Sequence, residues 1–282
     1  MIRVCLSGLG KTGMEIAKVL LEQKDMKLVS VICSPGSAKK GKDVGEILLG
    51  EKIGVRVDSS EHLEEVVFKS KPDVVIDFSS AESALRNAKV FSKMRVNIVI
   101  GTTGFSKMGL RRLFALSRRY HNGIVYAPNI TLGVNVLMFL TNLAANLLND
   151  YDFEVMEIHH KHKKDAPSGT AVKIAGEIAK GLKSAGKEIM AEDIPINAIR
   201  AGGVVGKHEV LIVGENDQIK ISHESFSRKA FALGAIKAVK FVQGKSGYFE
   251  MNSVLNLEKA LLDYLQKNNA SRNQSYNRKI LG

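Results

Sequence analysis

The sequence predicts an α/β protein: a Rossmann-like domain with a doubly wound parallel sheet, and an inserted α+β domain with an open mixed sheet. Three observations support this prediction. The first half of the chain alternates short apolar strands with amphipathic helices, and a glycine-rich turn joins the first strand to the first helix. The second half has a long helix and then strands in which apolar and polar residues alternate. With 282 residues, the chain is long enough for two domains.

The parallel sheet comes from the first half. Apolar runs predict strands, and apolar residues at helical spacing predict helices between them. The predicted strands are 2–7, 27–33, 73–78, 96–100 and 123–127, and the predicted helices are 14–21, 81–93 and 107–119. Strands that alternate with helices of this length form a parallel sheet with helices on both faces.

The turn after the first strand has the sequence GLGKTG, residues 8–13. Glycines in such a turn let a pyrophosphate approach backbone N–H groups and the positive end of the helix dipole. Because the turn follows a strand and opens a helix, it predicts a nucleotide site. The predicted contacts are Gly8, Leu9, Gly10, Lys11, Thr12 and Gly13.

Three further loops follow strand ends, where ligands of parallel sheets bind. They are DFSS at 77–80, GTTGF at 101–105 and APNITLG at 127–133, and all are small and polar. Together they predict the rest of a dinucleotide groove. The predicted contacts, with one from the end of the second strand, are Ser34, Phe78, Gly101, Thr102, Thr103, Ala127, Pro128 and Asn129.

The end of the second strand bears on the choice of cofactor. A strand that selects NAD usually ends in Asp or Glu at this point, because a carboxylate accepts hydrogen bonds from the ribose hydroxyls. Here Cys33 and Ser34 stand there, and Lys39, Lys40 and Lys42 follow. The sequence therefore favours NADPH over NADH and leaves use of both open.

The second half begins with a helix at about 132–148 and a strand at 153–160. The strand runs into EIHHKHKKDAPSGTA, residues 157–171, and a helix follows at 168–184. Ser168 is a good first residue for this helix, whose free N–H groups and hydroxyls suit a carboxylate. Glycine and Asn-Asp turns divide residues 199–224 into predicted antiparallel strands, in which His208 and His223 are given structural roles.

Three histidines and three lysines fill positions 159–164, and four interpretations compete for them. Crowded lysines repel a cation, so no metal site is predicted. A nucleic-acid patch would have aromatic residues among the basic ones, and this segment has none. A solvated basic face leaves the small, donor-rich Pro-Ser-Gly-Thr unexplained. A turn that binds an anion and transfers protons fits best.

Bulk properties narrow the class of protein. The formal charge of +12 favours anionic partners without naming one. Cys5 and Cys33 are too few for a disulfide framework, and the first residues lack a signal-peptide layout. No uninterrupted apolar run reaches about 18 residues. We therefore expect a cytoplasmic protein that does not enter a membrane.

The segment EIHHKHKKDAPSGTA closely resembles the signature of the 4-hydroxy-tetrahydrodipicolinate reductase (dihydrodipicolinate reductase) family. The resemblance covers nearly the whole chain. It extends to six further collinear blocks: IDFS (76–79), GTTG (101–104), APNITLGVNV (127–136), IRAGGVVGKHEV (199–210), ISHESFSRKAFALGAIKA (221–238) and GYFEM (247–251). The first loop departs from the family pattern, because Lys11 and Thr12 replace an arginine and a methionine.

The resemblance implies an activity and roles for residues. His159 would be a proton donor and acceptor, and Lys163 a second proton donor. The two carboxylates of a cyclic substrate would be held by His160, Lys163, Ser168, Gly169 and Thr170. The reaction would pass a hydride from NAD(P)H to the substrate, with loss of its hydroxyl as water. The family also implies a homotetramer, built through the sheets of the second domain.

Helices at 229–243 and about 253–266 are predicted to return to the first domain. Residues 1–129 with 230–282 would then form the dinucleotide-binding domain, and residues 130–229 the substrate-binding and oligomerisation domain. Two alternatives stay open. One is a related dehydrogenase that acts on another small amino-acid-derived imine or diamino acid. The other, suggested by the charge, is a non-catalytic protein that binds nucleotides or nucleic acid, although no nucleic-acid partner is predicted.

Overall fold

The computed structural model describes the backbone of residues 1–280 and the side chains of residues 1–268. Strands occupy β1 (Ile2–Ser7), β2 (Met26–Cys33), β3 (Val57–Ser59), β4 (Val74–Asp77), β5 (Asn97–Ile100), β6 (Gly123–Tyr126), β7 (Asp152–His159), β8 (Ile196–Arg200), β9 (Lys207–Val213), β10 (Gln218–Glu224) and β11 (Gly247–Phe249). Helices occupy α1 (Lys11–Leu21), α2 (Val44–Leu48), α3 (Leu63–Ser70), α4 (Ala81–Lys93), α5 (Lys107–Tyr120), α6 (Leu132–Leu147), α7 (Gly169–Ser184), α8 (Lys229–Val242), α9 (Met251–Leu255) and α10 (Leu257–Ile280).

Seven parallel strands form the larger sheet in the order β11-β6-β5-β4-β1-β2-β3. Every residue of β4, β5 and β6 is buried, as expected where helices cover both faces of a parallel sheet. The order reverses beside β1, and at that crevice doubly wound sheets bind nucleotides. The predicted Rossmann-like fold class is confirmed.

The smaller sheet has the order β10-β9-β7-β8, in which β7–β9 and β9–β10 are antiparallel. Strand β8 pairs with β7 in parallel, so the antiparallel prediction is wrong for residues 199–200. The reason is topological, because helix α7 carries the chain back along the sheet, and a parallel pair needs such a crossover. Helices α6 and α7 share an apolar core with this sheet, which confirms the predicted α+β part with a mixed sheet.

Serine caps account for several helix starts. The side chains of Ser80, Ser106 and Ser168 accept hydrogen bonds from the backbone N–H three residues later, at the first turns of α4, α5 and α7. Helix α1 begins at Lys11 rather than at the predicted Met14. The predicted last helix is two helices in the structure, because Asn256 takes a left-handed conformation with φ of 48° between α9 and α10.

None of the helices in the described part of the chain combines the length and the apolar character that a membrane crossing requires.

Candidate functional site

Asp77, the last residue of β4, forms hydrogen bonds with the loops that follow β4 and β5. Its Oδ1 accepts hydrogen bonds from the Ser79 N–H (3.0 Å), the Ser79 hydroxyl (2.7 Å) and the Thr102 hydroxyl (3.1 Å). Burial raises the pKa of Asp77, while these hydrogen bonds oppose the rise. The contacts hold the loops that follow β4 and β5 in one arrangement.

The glycine loop leaves its backbone open toward solvent. Gly8 has φ of +95°, and a Cβ on it would lie 2.6 Å from the Phe78 carbonyl oxygen. A Cβ on Gly13 would lie 1.9 Å from the Gly8 carbonyl oxygen, so the helix packs directly on the loop. A Cβ on Gly10, in contrast, would meet nothing within 4 Å. Gly10 precedes helix α1 and provides no side-chain cap, so the first N–H groups of the helix fit a pyrophosphate.

Beside this loop lies a groove of about 390 Å³. It is lined by the glycine loop, the end of β2 and the loop after β4: Ser7, Gly8, Leu9, Gly10, Ile32, Cys33, Ser34, Ser37, Ser60, Phe78, Ser79, Ser80, Ser83 and Asn87. The Lys39 ammonium reaches back to the loop and donates a hydrogen bond to the Leu9 carbonyl oxygen. The groove suits the adenosine end of a dinucleotide.

A second cleft, of about 280 Å³, lies between the larger sheet and the turn 159–165. From one side it is lined by Thr12, Thr103, Pro128 and Asn129, and from the other by His159, His160, Lys163 and Thr170. The Thr170 hydroxyl donates a 2.6 Å hydrogen bond to Asn129 Oδ1, which ties the start of α7 to the loop after β6. One cleft therefore joins the predicted cofactor residues to the predicted catalytic residues.

His159 is the last residue of β7 and lies above a buried carboxylate. Residues two apart on a strand share a face, so Glu157 and His159 both turn toward α7. Glu157 is fully buried; its Oε1 accepts hydrogen bonds from Arg200 Nη2 (2.7 Å) and from the Ser168 N–H (2.9 Å). Its Oε2 lies 3.2 Å from His159 Nδ1 and 3.6 Å from His208 Nε2.

These surroundings shift the pKa of Glu157 and the pKa of His159. Burial disfavours ionised Glu157, but donors on His208, Ser168 and Arg200 outweigh it and hold the pKa of Glu157 well below its usual range. Burial, with the positive potential of His208, lowers the pKa of His159 to about 4, and Glu157 only partly opposes this. These shifts favour an ionised Glu157 and a neutral His159 at neutral pH.

Lys163 and Ser168 have partners of their own. The Lys163 ammonium donates to both carboxylate oxygens of Asp165, at 2.8 and 2.9 Å. Ser168 Oγ accepts from the Ala171 N–H at 3.2 Å and lies 3.3 Å from His208 Nε2. Lys163 is thus a cation at the cleft that a ligand carboxylate would share with Asp165, while Ser168 is buried behind the helix start.

The structure separates the predicted site residues into three groups. Thr12, Thr103, Pro128, Asn129, His159, His160, Lys163 and Thr170 line the cleft. Gly8, Leu9, Gly10, Ser34 and Phe78 line the groove. Among the described side chains, Lys11, Gly13, Gly101, Thr102, Ala127, Ser168 and Gly169 line neither cavity. In this third group Lys11 and Gly169 are the first residues of α1 and α7.

Several cleft residues carried no site assignment from the sequence. His208 and His223, which were given structural roles, both line the cleft, as does Arg228. Arg200 and Glu157 lie just behind it. A signal for Glu157 was present, because it stands two residues before His159 on a strand. Arg200 is a cross-strand neighbour of His159, and only the pairing of β7 with β8 brings the two residues together.

Glu157, His159 and His208 place possible ligand atoms within 4.8 Å of one another, so the cluster has the dimensions of a metal site. However, Arg200 already neutralises Glu157, and a metal ion would lie beside its guanidinium. We interpret the three side chains as a network of polar contacts. The absence of a metal stays a prediction.

Comparison with known proteins gives a consistent result. The family model described as dihydrodipicolinate reductase, N-terminus, matches residues 2–130, and the one for its C-terminus matches residues 133–255. The 4-hydroxy-tetrahydrodipicolinate reductase of Methanocaldococcus jannaschii is 38% identical over 91% of this chain and 98% of its own. That of Methanopyrus kandleri is 39% identical over 89% and 95%. A dipicolinate-bound dihydrodipicolinate reductase from Paenisporosarcina sp. TG-14 superposes with a TM-score of 0.73 at 28% identity, over 90% of this chain and 98% of that one.

Proposed function

The chain belongs to the dihydrodipicolinate reductase family, and we propose that it catalyses the reaction in the names of its curated relatives, the reduction of 4-hydroxy-tetrahydrodipicolinate. NAD(P)H supplies a hydride and the protein a proton; the products are tetrahydrodipicolinate, NAD(P)⁺ and water. This is a step of lysine and diaminopimelate biosynthesis. The observation that carries the proposal is the single cleft shared by Thr12, Thr103, His159 and Lys163.

In this proposal His159 and Lys163 transfer protons. Hydride addition builds negative charge that a positioned acid must neutralise. His159 is neutral in the empty site because its pKa is about 4, and an arriving dianion would raise that pKa toward neutrality. Lys163 is a second proton donor, and its ammonium places a positive charge beside the substrate.

The substrate carboxylates are held by His160, Lys163, Ser168, Gly169 and Thr170. The supporting feature is the start of α7, a 16-residue helix whose dipole favours negative charge at this end. The Ser168 side chain already caps the helix, so its contribution is to orient the turn. Gly169 and Thr170, in the first turn of α7, would offer backbone N–H groups to a carboxylate.

The glycine loop, the residues of the groove and, in the cleft, Asn129 would hold the cofactor. NADPH is preferred over NADH, because the end of β2 presents Ser34 and Ser37 in place of a carboxylate, with the Lys39 ammonium close by. A 2′-phosphate needs such donors and would be repelled by an acidic residue. The residues of the glycine loop hold the pyrophosphate through their backbone.

Residues 1–129 with 230–282 form the dinucleotide-binding domain and residues 130–229 the substrate-binding and oligomerisation domain of a cytoplasmic homotetramer. The sheet face opposite to α6 and α7 supports the assembly, because it leaves apolar side chains half-buried or exposed: Met156, Ile158, Ile199, Leu211 and Val213. Light scattering measures the mass of the assembly, and a monomer at micromolar concentration would contradict this part.

The activity itself is tested by following NADPH oxidation with enzymatically generated 4-hydroxy-tetrahydrodipicolinate. We expect turnover with the unsubstituted protein, inhibition by dipicolinate, and a kcat at least about 100-fold lower for His159→Ala. A lack of turnover with both NADPH and NADH would contradict the function. Oxidation of a diamino acid with NADP⁺ instead would favour a related dehydrogenase.

A further inference from the structure

The fully buried Glu157 carboxylate has no role in the proposal above, although several polar groups surround it. Transfer of a carboxylate out of water is strongly unfavourable unless it is paired and hydrogen-bonded. Glu157 meets four groups within 3.6 Å, on Arg200, Ser168, His159 and His208.

Sheet register brings these neighbours together. Glu157 pairs with His208 across β7 and β9, and His159 pairs with Arg200 across β7 and β8. Directly paired residues lie about 5 Å apart on the same face of a sheet. The cluster is therefore built on backbone hydrogen bonds of three strands, which position side chains more rigidly than a loop.

The two oxygens of Glu157 have different partners. Oε1 accepts from the Arg200 guanidinium and the Ser168 N–H, which fix the carboxylate in place. Oε2 is buried without a hydrogen bond of good geometry, and so is His159 Nδ1, 3.2 Å away. Oε2 is thus an anchored acceptor aimed at one ring nitrogen of His159.

We propose that Glu157 is a positioning residue, anchored by Arg200, that keeps the proton of His159 on Nδ1 and directs Nε2 toward the reacting atoms. The proposal rests on the proposed function, because it concerns the same proton transfer. Gly206 supports the arrangement from the other side, since a Cβ there would lie 3.1 Å from His159 Nε2. The ionised carboxylate also stabilises the imidazolium that forms when His159 takes a proton.

The variant Glu157→Gln tests this, since an amide is isosteric and its oxygen can still accept from Arg200 and the Ser168 N–H. We expect kcat to fall by at least about tenfold, with the Kd of dipicolinate changed less than threefold, because proton transfer and not carboxylate binding is affected. Glu154→Gln is the matched control, since Glu154 lies on the same strand but on its other face. It should leave kcat within twofold.

Two results would overturn the proposal. The first is a kcat of Glu157→Gln within twofold of that of the unsubstituted protein. The second is a fall in kcat that is accompanied by a similar fold loss of dipicolinate affinity and by a lower melting temperature. The second pattern would indicate a purely structural role for Glu157. If the unsubstituted protein itself does not turn over, the proposed function fails first. That failure is distinguishable from a failure of the Glu157 proposal, because it already appears in the unsubstituted protein.

A measurement on the unsubstituted protein covers the case in which Glu157→Gln does not fold. In ¹⁵N-histidine NMR, the His159 signals, assigned by their loss in His159→Gln, report which ring nitrogen carries the proton. We expect protonated Nδ1 and unprotonated Nε2 at pH 7. The reverse tautomer contradicts the proposal, as does a stoichiometric metal in the purified protein, which would make Glu157, His159 and His208 its ligands.

Discussion

Two regions of the chain concentrate positive charge, and they differ in how that charge is surrounded. In the turn 159–165, Lys163 is paired with Asp165, and behind it Arg200 is paired with Glu157. The segment 81–121, which includes α4 and α5, has nine basic residues and one acidic residue, a net charge of +8 within a chain of +12. Within the described side chains none of those nine forms an ion pair: Arg86, Lys89, Lys93, Arg95, Lys107, Arg111, Arg112, Arg118 and Arg119.

The difference teaches that neither charge nor cavity size locates the site. Between α4 and α5 lies a cavity of about 500 Å³, larger than the cleft of about 280 Å³ that His159 and Lys163 line. The cations around it are exposed on helices, where solvent screens them. In the cleft, burial and fixed partners shift the pKa of His159 and of Glu157. Perturbed titration in a cleft indicates chemistry, whereas a solvated cation mainly adds net charge.

The largest expected effect comes from removing one cation from each region. Lys163→Ala should lower kcat/KM by about 10²- to 10⁴-fold, because a proton donor and a carboxylate partner are both lost. Asp165 would then be left as an unpaired carboxylate beside an anionic ligand, which adds to the loss. Arg112→Ala removes the same charge from an exposed helix and should leave kcat/KM within twofold. Steady-state NADPH oxidation measures kcat/KM for both variants. Similar losses in the two variants would contradict the proposed difference between the two regions.

A smaller effect concerns acid stability. The pKa of His159 is about 4 in the folded protein and 6.5 when unperturbed, so between pH 6.5 and 4 the unfolded chain binds a proton that the folded chain does not. Stability therefore falls as the pH drops through this window, by about 3 kcal/mol at most from this group. Burial lowers the pKa of His223 in the same direction, so it adds to the slope.

His159→Gln should flatten part of that slope. Denaturant unfolding at several pH values between about 6.5 and 5.5 measures it, because below this window the carboxylates of the unfolded chain, Glu157 among them, begin to bind protons. His62→Gln is the control, because His62 is exposed and outside both cavities. An unchanged slope in His159→Gln would show that His159 titrates normally and that the cleft does not perturb it.

How far the sequence predicts this molecule depends on whether a feature is local. The bounds of α4 are predicted to the residue, because Ser80 caps a helix whose apolar face repeats with helical spacing. β3 and β11, with three residues each, are too short for any periodicity. Arg200 could not be placed behind His159, because the contact joins residues 41 positions apart through a parallel strand pair that was predicted to be antiparallel.

The candidate site shows the same division. Its central motif is contiguous, so His159, His160 and Lys163 were assigned from sequence and all line the cleft. His208 and His223 lie in strands with ordinary alternation, and only the pairing of β9 with β7 and β10 brings them to the same place. Side chains that reach a site through sheet register have no local signal.

A third cation, Lys39, lies in neither region and gives an intermediate effect. Its ammonium contacts the Leu9 carbonyl oxygen beside the groove. The proposed preference for NADPH assigns Lys39 to the 2′-phosphate. Lys39→Ala should raise the KM for NADPH by about tenfold and leave the KM for NADH within twofold, because only the phosphate loses a charged partner. Equal changes for both cofactors, or a kcat/KM for NADH that greatly exceeds that for NADPH before substitution, would contradict the assignment.

The smallest effect is expected from the region with the largest charge. Replacing Arg111, Arg112, Arg118 and Arg119 of α5 by glutamine removes four charges from a helix whose arginines line neither the cleft nor the groove. The kcat and both KM values should stay within twofold at physiological ionic strength, where exposed charges are screened beyond about 8 Å. Kinetics at low and at physiological salt measure this. A KM for NADPH that rises more than threefold, only at low salt, would mean that this face steers the anionic cofactor toward the site, and the two regions would then share one function.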